Sequence, residues 1–381
     1  IPARNAGELV IDAINAGTMP APYSGKGIAG KPIRPVWVDE AGGASKQVAS
    51  FRILVQRQGV DAVVGYISSG DCLAVAPVAE TLGKLTVFFD CGTPRVFEQG
   101  THKYLFRTGA TALMDNVAAA RYVLARRPQL KTISGINQNY AWGHDSWRDF
   151  VATAQKLKPE VKVGTSQLPK LYAGRYSAEI SALMLDGAEM VHASLWGGDL
   201  EGFIQQAGAR GLLDKKTALL TTGETTMFRI PDRIPEGTIL GARGPHGVFA
   251  PDNALNRWFR KAYFERYKAW PTYPAYKMAQ ALLGLKAAAD KAQQKQPKPS
   301  QADIIAAFEY LEFDTPSGPV KMAIGDGHQA VQEMVYGRFK QSDGQPTVVD
   351  VQRFSAECVN PPDGMTSEQW IAKGFPGAKC P

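Results

Sequence analysis

The stretch that decides the fold is VDAVVGYISSGDCLAVAPVAETLGKLTVFFDCGT, residues 60–93. A β-branched apolar run turns through SSGDC, residues 68–72, into a helical pattern, which leads to a second apolar run, LTVFFD, at residues 85–90. Two short apolar runs joined by a helix are typical of a βαβ unit with parallel, buried strands. The stretch therefore predicts a parallel α/β fold with polar corners after the strands.

The same alternation continues along most of the chain. Helical and strand patterns alternate as far as residue 245, with a restart after YLFRTG at residues 104–109. Long helical patterns follow, and the chain closes with strand patterns and a hairpin across Asp343-Gly344. A chain of 381 residues exceeds one typical core. We therefore predict two doubly wound α/β domains.

The beginning of the chain departs from this pattern. It opens directly on an amphipathic helix, whereas a parallel α/β domain normally opens on a strand. The next segment, PIRPVWVDE at residues 32–40, is predicted to be a strand. We expect that a first strand and an export signal peptide lie outside the given sequence.

Charge and hydropathy narrow the function classes. The net charge is +7, but lysine and arginine are spread along the chain, without a zinc-finger, RNP or basic-helix pattern. A basic surface that attracts small anions or anionic membranes is the favoured interpretation, and a nucleic-acid binder is the alternative. No apolar run approaches the ~20 residues that span a bilayer.

The four cysteines fall into two pairs. Cys72 and Cys91 follow neighbouring strand patterns, and Cys358 and Cys380 bracket a tail rich in proline and glycine. This placement favours two disulfides and an oxidising compartment, because a metal site would need closer spacing. Four buried free thiols are the alternative.

No catalytic or cofactor motif is specific enough to support an enzyme. GKGIAG, at residues 25–30, matches a dinucleotide fingerprint but follows a loop and precedes a strand pattern, so we predict no nucleotide and no other cofactor. Nucleophile-elbow, P-loop and zinc-binding motifs do not occur. The alternative is a hydrolase that uses Asp71 or Cys72.

Parallel sheets bind ligands at the carboxyl ends of their strands. In the first half of the chain, the residues at these corners are Ser69, Gly70, Asp71, Cys91, Gly92 and Thr93. Hydroxyls, glycines and a helix N-terminus together suit a carboxylate ligand. A simpler role for Asp71, compatible with the first, is to cap the helix.

In the second half the corners carry aromatic side chains. Tyr140 and Trp142 follow one strand and Trp196 another, before Glu224. Each could belong to the core, but together they favour a pocket with flat apolar walls. Arg243, at the end of a strand, could pair with an anion or remain solvated.

These segments together resemble the periplasmic solute-binding proteins of ABC importers, in the branched-chain amino-acid-binding group of type I. The resemblance extends from residue 3 to about residue 340. It rests on INAG, GKPIRPVWVDEAGG, VDAVVGYISSGDCLAVAPVAE, RTGATALMDNVAAARYV, NQNYAWGHDSW and FIQQAGARG, in that order.

The resemblance implies two Rossmann-like lobes that clamp a ligand, joined by a three-crossing hinge near Gly109, Gly241 and Pro316. The implied division is residues 1–109 with 245–316 for lobe 1, residues 110–244 with 317–354 for lobe 2, and residues 355–381 for the cysteine-bracketed tail.

The resemblance also implies a ligand site. Ser69, Gly70, Asp71, Cys91 and Thr93 match positions that hold the ligand carboxylate. Trp142, Trp196, Glu224 and Tyr276 match positions that line the cleft, and in amino-acid binders the Glu224 position pairs with the α-ammonium. By its own context, Tyr276 supplies a site hydroxyl or only packs its helix.

Two departures from the family pattern bear on the ligand. Tryptophan occupies two positions where tyrosine or a smaller residue is usual, and Asp71 replaces a small or hydroxyl residue. Subgroups of the family bind aromatic carboxylates, and tryptophan walls suit a planar ring. We therefore predict a non-enzymatic, monomeric periplasmic receptor that delivers a small organic acid, an aromatic carboxylate, to an ABC permease in the inner membrane. The alternatives are a receptor for branched-chain or other amino acids and a ligand sensor of the same fold.

Overall fold

The structure, a computed structural model, describes residues 1–381. Its α-helices are α1 (Pro2–Ala16), α2 (Gly43–Arg52), α3 (Ser69–Thr81), α4 (Arg95–Glu98), α5 (Ala112–Arg126), α6 (Ala141–Leu157), α7 (Ser177–Leu185), α8 (Gly197–Ala209), α9 (Leu212–Lys215), α10 (Ala254–Tyr267), α11 (Tyr273–Lys295), α12 (Gln301–Phe308), α13 (Ala356–Val359) and α14 (Ser367–Ala372). No helix is both long and apolar enough to cross a membrane.

The strands are short in the first two thirds of the chain and longer at the end. They are β1 (Val63–Gly65), β2 (Thr86–Phe88), β3 (Leu105–Arg107), β4 (Thr132–Ile136), β5 (Lys162–Gln167), β6 (Met190–Ala193), β7 (Thr217–Leu220), β8 (Ile239–Gly241), β9 (Glu312–Thr315), β10 (Gly318–Ile324), β11 (Gln329–Val331), β12 (Met334–Ser342) and β13 (Gln345–Phe354).

These elements group into two compact units. Unit 1 comprises residues 1–110, 250–332 and 362–364. Unit 2 comprises residues 111–249, 333–361 and 365–381. Each unit contains one sheet flanked by helices, so the predicted α/β class with two doubly wound domains is confirmed.

Unit 1 contains a six-stranded sheet in the order β1-β2-β3-β11-β10-β9. The strands β1, β2, β3 and β11 run parallel, and β10 and β9 are antiparallel additions. Helices α1 and α11 cover this sheet, with Val10, Ile14 and Leu283 in one core cluster with Val87 and Phe106. The sheet thereby presents the carboxyl ends of β1 and β2 at one edge.

The domain boundaries differ from the predicted ones. The predicted third crossing near Pro316 is wrong, because β10 and β11 belong to the unit 1 sheet and the boundary falls after Gln332. The second boundary falls after Phe249 instead of near Gly241, and most of the tail groups with unit 2. The pairing of β11 with the distant strand β3 brings β9 and β10 into the unit 1 sheet, and this overrides the local pattern.

The predicted strand at residues 32–40 is also wrong. The segment forms no strand, and Val36, Trp37 and Val38 are exposed. A strand needs a hydrogen-bonded neighbour, and residues 32–40 pair with no strand of the sheet. Strand β1, at the edge of the sheet, pairs only with β2. The ring of Trp37 packs under the Arg4 guanidinium instead, 4.7 Å from its centroid.

Unit 2 contains a seven-stranded sheet in the order β13-β12-β8-β7-β6-β4-β5. Five strands run parallel, namely β8, β7, β6, β4 and β5. The other two, β12 and β13, form an antiparallel hairpin, and β12 pairs antiparallel with β8. The two turn residues, Asp343 and Gly344, have φ values of 50° and 73°. This left-handed pair is the geometry of a tight hairpin turn, so the predicted hairpin is confirmed.

The C-terminal tail is tied down by the Cys358–Cys380 disulfide, as predicted. It also contains two short helices, where no helical pattern was predicted. Helix α14 begins with a capping box in which Thr366 and Gln369 bond reciprocally, and the Trp370 side chain is fully buried. The tail is therefore a folded part of the molecule.

His192, on β6, has a strongly lowered pKa. Its ring is fully buried, stacks on Phe150 at 4.4 Å and places Nε2 2.7 Å from Asn116 Oδ1. Burial lowers the pKa of His192 to about 3, from an ordinary value near 6.5. The folded state therefore keeps a neutral ring, while the unfolded chain takes up a proton below about pH 6.5.

We predict that this difference makes wild type lose stability on acidification relative to His192→Gln. From pH 7.5 to pH 5, the free energy of unfolding should fall by about 2 kcal/mol more in wild type than in the variant. Urea unfolding at both pH values measures this difference. His144→Gln, at an exposed position, is the control. A wild-type-minus-variant difference that stays constant with pH would contradict the prediction.

Candidate ligand-binding site

The first corner of unit 1 joins β1 to α3. Ser68 is the N-cap residue, but its side chain makes no capping bond, and Asp71 is the third residue of the helix. The expectation that Asp71 caps α3 is therefore wrong. The Ser69 hydroxyl accepts hydrogen bonds from the backbone N–H groups of Gly92 (3.2 Å) and Thr93 (3.1 Å). It thereby braces the second corner of unit 1, residues 91–93, which follows β2.

The start of α3 therefore has a set of backbone donors without a capping side chain. The N–H groups of Ser69, Gly70 and Asp71 lie in the first turn, where a helix supplies no acceptor, and no side chain caps them. These groups and the helix dipole contribute a positive potential at the corner. The corner can therefore bind a carboxylate.

The predicted Cys72–Cys91 disulfide is confirmed, and the structure contains no free cysteine. The alternative of four free thiols is therefore wrong. The Cys72 sulfur is bonded to Cys91, so it provides no thiolate nucleophile for the hydrolase alternative. The bond instead joins the start of α3 to the corner after β2.

Arg107, at the end of β3, contacts the backbone of the second corner. Its guanidinium is fully buried, and Nη1 donates to the carbonyl oxygens of Cys91 (2.9 Å) and Thr93 (2.6 Å). Nε donates to the side chain of Gln329 on β11. The corner backbone is thus fixed by a buried positive charge, which favours an anion nearby.

Acidic groups surround the same corners. Glu40 accepts a hydrogen bond from the Ile67 N–H at 2.8 Å. Burial, together with the nearby carboxylates of Asp71 and Asp90, raises the pKa of Glu40 to about 7. Burial also raises the pKa of Asp71. Asp90 is paired with Lys277, with Nζ 2.9 Å from Oδ1. The shifts weaken the tendency of Glu40 and Asp71 to ionise, and Lys277 balances the charge of Asp90.

Tyr276 lies in the core of unit 1. Its side chain is fully buried, its hydroxyl donates to Asn256 Oδ1 at 2.8 Å, and its ring packs edge-on against Phe259 at 5.0 Å. Of the two predicted roles, the structure matches helix packing. A role for Tyr276 in the ligand site stays a prediction.

In unit 2, Trp142 and Arg243 form one buried group. The Trp142 indole N–H donates to the Ser194 carbonyl at 2.8 Å, and the Arg243 guanidinium lies over its ring, 4.2 Å from the centroid. Arg243 Nε is 3.1 Å from Asp115 Oδ2. Arg243 is thus neither solvated nor isolated, since a carboxylate and an aromatic face both balance its charge.

Trp196 and Tyr140 meet directly. Trp196 is half-buried at the N-terminus of α8, and its indole N–H donates to the Tyr140 hydroxyl at 2.7 Å. The edge of the Tyr172 ring packs against it, with the centroids 5.9 Å apart. The structure therefore brings two of the predicted aromatic residues together and adds Tyr172, which the sequence did not single out.

Glu224 is fully buried in the short 3-10 turn Gly223–Thr225. The loop after β8 closes on it so tightly that a Cβ at Gly247 would lie 1.7 Å from Glu224 Oε1. Gly247 also has a φ of 56°, a second reason for glycine at this position. Glu224 thus lies against the backbone of its own unit.

Residues 1–345 match the sequence profile of the periplasmic binding protein family. The chain belongs to this family. A sequence search of curated proteins finds no significant match.

Solved structures share the fold at low sequence identity. A solute-binding protein of an ABC transporter from Rhodopseudomonas palustris BisB5, in complex with 3,4-dihydroxybenzoic acid, aligns with a TM-score of 0.79 and 18% identity, covering 93% of this chain and 92% of that chain. Its counterpart from strain HaA2, in complex with p-hydroxybenzoic acid, gives 0.79 and 19%, covering 93% of each chain. A leucine-, isoleucine-, valine-, threonine- and alanine-binding protein from Brucella ovis aligns with a TM-score of 0.76 and 20% identity, covering 95% of this chain and 92% of that chain. The similarity confirms the type I fold.

The disulfide at the corners can be tested without a ligand. We predict that Cys72→Ser with Cys91→Ser lowers the free energy of unfolding by about 3 kcal/mol, because the unfolded chain gains loop entropy. The variant should also speed hydrogen exchange at the Gly92 and Thr93 amides, measured by NMR. Cys358→Ser with Cys380→Ser removes a bond of similar span in unit 2. Equal exchange at these two amides in both double variants would contradict the bracing role.

Proposed function

We propose that this protein is a periplasmic receptor that captures a small aromatic carboxylate and delivers it to an ABC permease. The observation that carries the proposal is the uncapped N-terminus of α3, beside a corner held by a disulfide and a buried arginine. Backbone donors fixed in this way suit a carboxylate, because no ordering is required when the anion binds.

The charges of unit 1 are compatible with an anionic ligand. Arg107 is buried directly beneath the second corner, and Lys277 neutralises Asp90. Glu40, with a pKa of about 7, is half protonated near neutral pH. A carboxylate at the N-terminus of α3 is therefore not opposed by a full set of negative charges.

The aromatic residues of unit 2 support a planar ligand. Tyr140 and Trp196 are fixed to each other by a hydrogen bond, so their rings need no reorganisation on binding. Flat, fixed rings contribute contact area and offset stacking. The R. palustris proteins of the same fold, in complex with hydroxybenzoates, provide a precedent.

An amino-acid ligand is the second candidate, because Glu224 is retained. In amino-acid binders that position pairs with an α-ammonium, and the Brucella ovis protein of the same fold binds branched-chain amino acids. The observation against this candidate is that Glu224 is fully buried in its own unit. A benzoate has no ammonium group and therefore needs no contact with Glu224. The two ligand classes are therefore separable by experiment.

Family membership supports a proposed location and partner. Membership in the periplasmic binding protein family and two disulfides support an exported receptor in an oxidising compartment. We propose that it acts as a monomer, that it catalyses no reaction and that its ligand-bound form docks on an inner-membrane permease. A sensor that passes the same ligand signal to a regulator is the alternative.

A thermal-shift screen of benzoate, 4-hydroxybenzoate and leucine tests the ligand class. We predict that the two aromatic acids raise the melting temperature in proportion to the logarithm of their concentration, because they bind the folded state. Leucine should produce no shift. A shift with leucine and none with the aromatic acids would contradict the proposal and favour the amino-acid candidate.

A tryptophan substitution tests the aromatic wall. Trp196→Ala should weaken 4-hydroxybenzoate binding about tenfold, because one aromatic contact contributes on the order of 1.5 kcal/mol. Isothermal titration calorimetry measures the change. Trp270→Ala, at an exposed position in unit 1, is the matched control. Unchanged affinity in Trp196→Ala would remove Trp196 from the site.

A further inference from the structure

Tyr172 has an unusual position for a large aromatic residue. It lies in the loop between β5 and α7, 72% of its side chain is exposed, and its φ is 62°. Residues with a Cβ seldom adopt this left-handed conformation, so the surrounding structure must hold it.

Asp199 fixes the backbone of this loop. Its carboxylate is almost fully buried, and Oδ2 accepts hydrogen bonds from the Tyr172 N–H (2.7 Å) and the Gln138 side-chain amide (2.6 Å). Oδ1 accepts from the Tyr176 hydroxyl at 2.5 Å. One carboxylate thus joins the Tyr172 loop to the corner after β4 and to the start of α8.

The Tyr172 ring meets a residue of the proposed site. The two rings pack in a T-shaped arrangement, with the centroids of Tyr172 and Trp196 5.9 Å apart and an interplanar angle of 78°. In addition, the Trp196 indole N–H donates a hydrogen bond to the Tyr140 hydroxyl. Trp196 is therefore restrained by two tyrosines, one through a ring contact and one through a hydrogen bond.

We infer that Tyr172 is a specificity-determining residue, which positions Trp196 as a wall for a planar ligand ring. The inference rests on the proposed function. Stacking of a planar ring on Trp196 depends on the angle between the two rings, so a fixed Trp196 orientation strengthens it. The apolar contact of a puckered ring of similar size depends less on that angle. Tyr172 should therefore favour benzoate over cyclohexanecarboxylate, which carries the same charge.

Calorimetric titration of both acids tests this preference. Tyr172→Gly removes the ring and leaves a residue that suits the left-handed backbone. We expect benzoate affinity to fall about tenfold and cyclohexanecarboxylate affinity to fall less than about threefold. Tyr172→Phe should bind both acids like wild type, since the contact is made by the ring. Equal losses for the two acids would overturn the inference.

Tyr310→Gly is the matched control for this substitution. Tyr310 is 57% exposed with a φ of 55°, and it lies in unit 1. Both glycine variants therefore remove an exposed ring from a left-handed position. Tyr310→Gly should bind both acids like wild type, and a loss equal to that of Tyr172→Gly would overturn the inference.

A ligand-free measurement separates this inference from the proposed function. In protein labelled with 5-fluorotryptophan, the ¹⁹F resonance of Trp196, assigned with Trp196→Phe, should shift in Tyr172→Gly and stay unchanged in Tyr310→Gly. An unchanged resonance in Tyr172→Gly would overturn the positioning role. If wild type binds neither acid, the proposed function fails, and a shifted resonance still supports the positioning contact.

Discussion

The proposed site depends on one covalent constraint, the Cys72–Cys91 disulfide between the two corners of unit 1. The Ser69 hydroxyl adds a second connection, because it accepts the N–H groups of both Gly92 and Thr93. The start of α3 is thereby held against the end of β2. Its uncapped N–H groups can face an anion without the entropy cost of ordering a loop.

Buried charges then decide what these corners can hold. Arg107 donates to two corner carbonyls, and Lys277 is paired with Asp90. Burial raises the pKa of both Glu40 and Asp71, and the Asp71 carboxylate adds to the rise at Glu40. The balance favours a small monoanion, whose charge the helix terminus and the buried guanidinium stabilise.

Local patterns predicted the βαβ units and the terminal hairpin, because each depends on neighbouring residues, and both disulfides, because each joins cysteines within about one βαβ unit or one tail segment. The strand at residues 32–40 and the third boundary were wrong, because both depend on pairing with distant strands. Tyr276 was ambiguous for the same reason, since only packing decides its role. Arg107 and Tyr172 were missed because nothing in their local sequence indicates which corner or ring they contact.

The most direct test of the account compares benzoate with benzamide, its neutral analogue of nearly the same shape, by calorimetric titration at pH 7.5. If the α3 terminus and its braced corner recognise a carboxylate, benzoate should bind at least about a hundredfold more tightly, since charge-assisted hydrogen bonds are roughly twice as strong as neutral ones. Equal affinity for the two compounds would contradict an anion site at this corner.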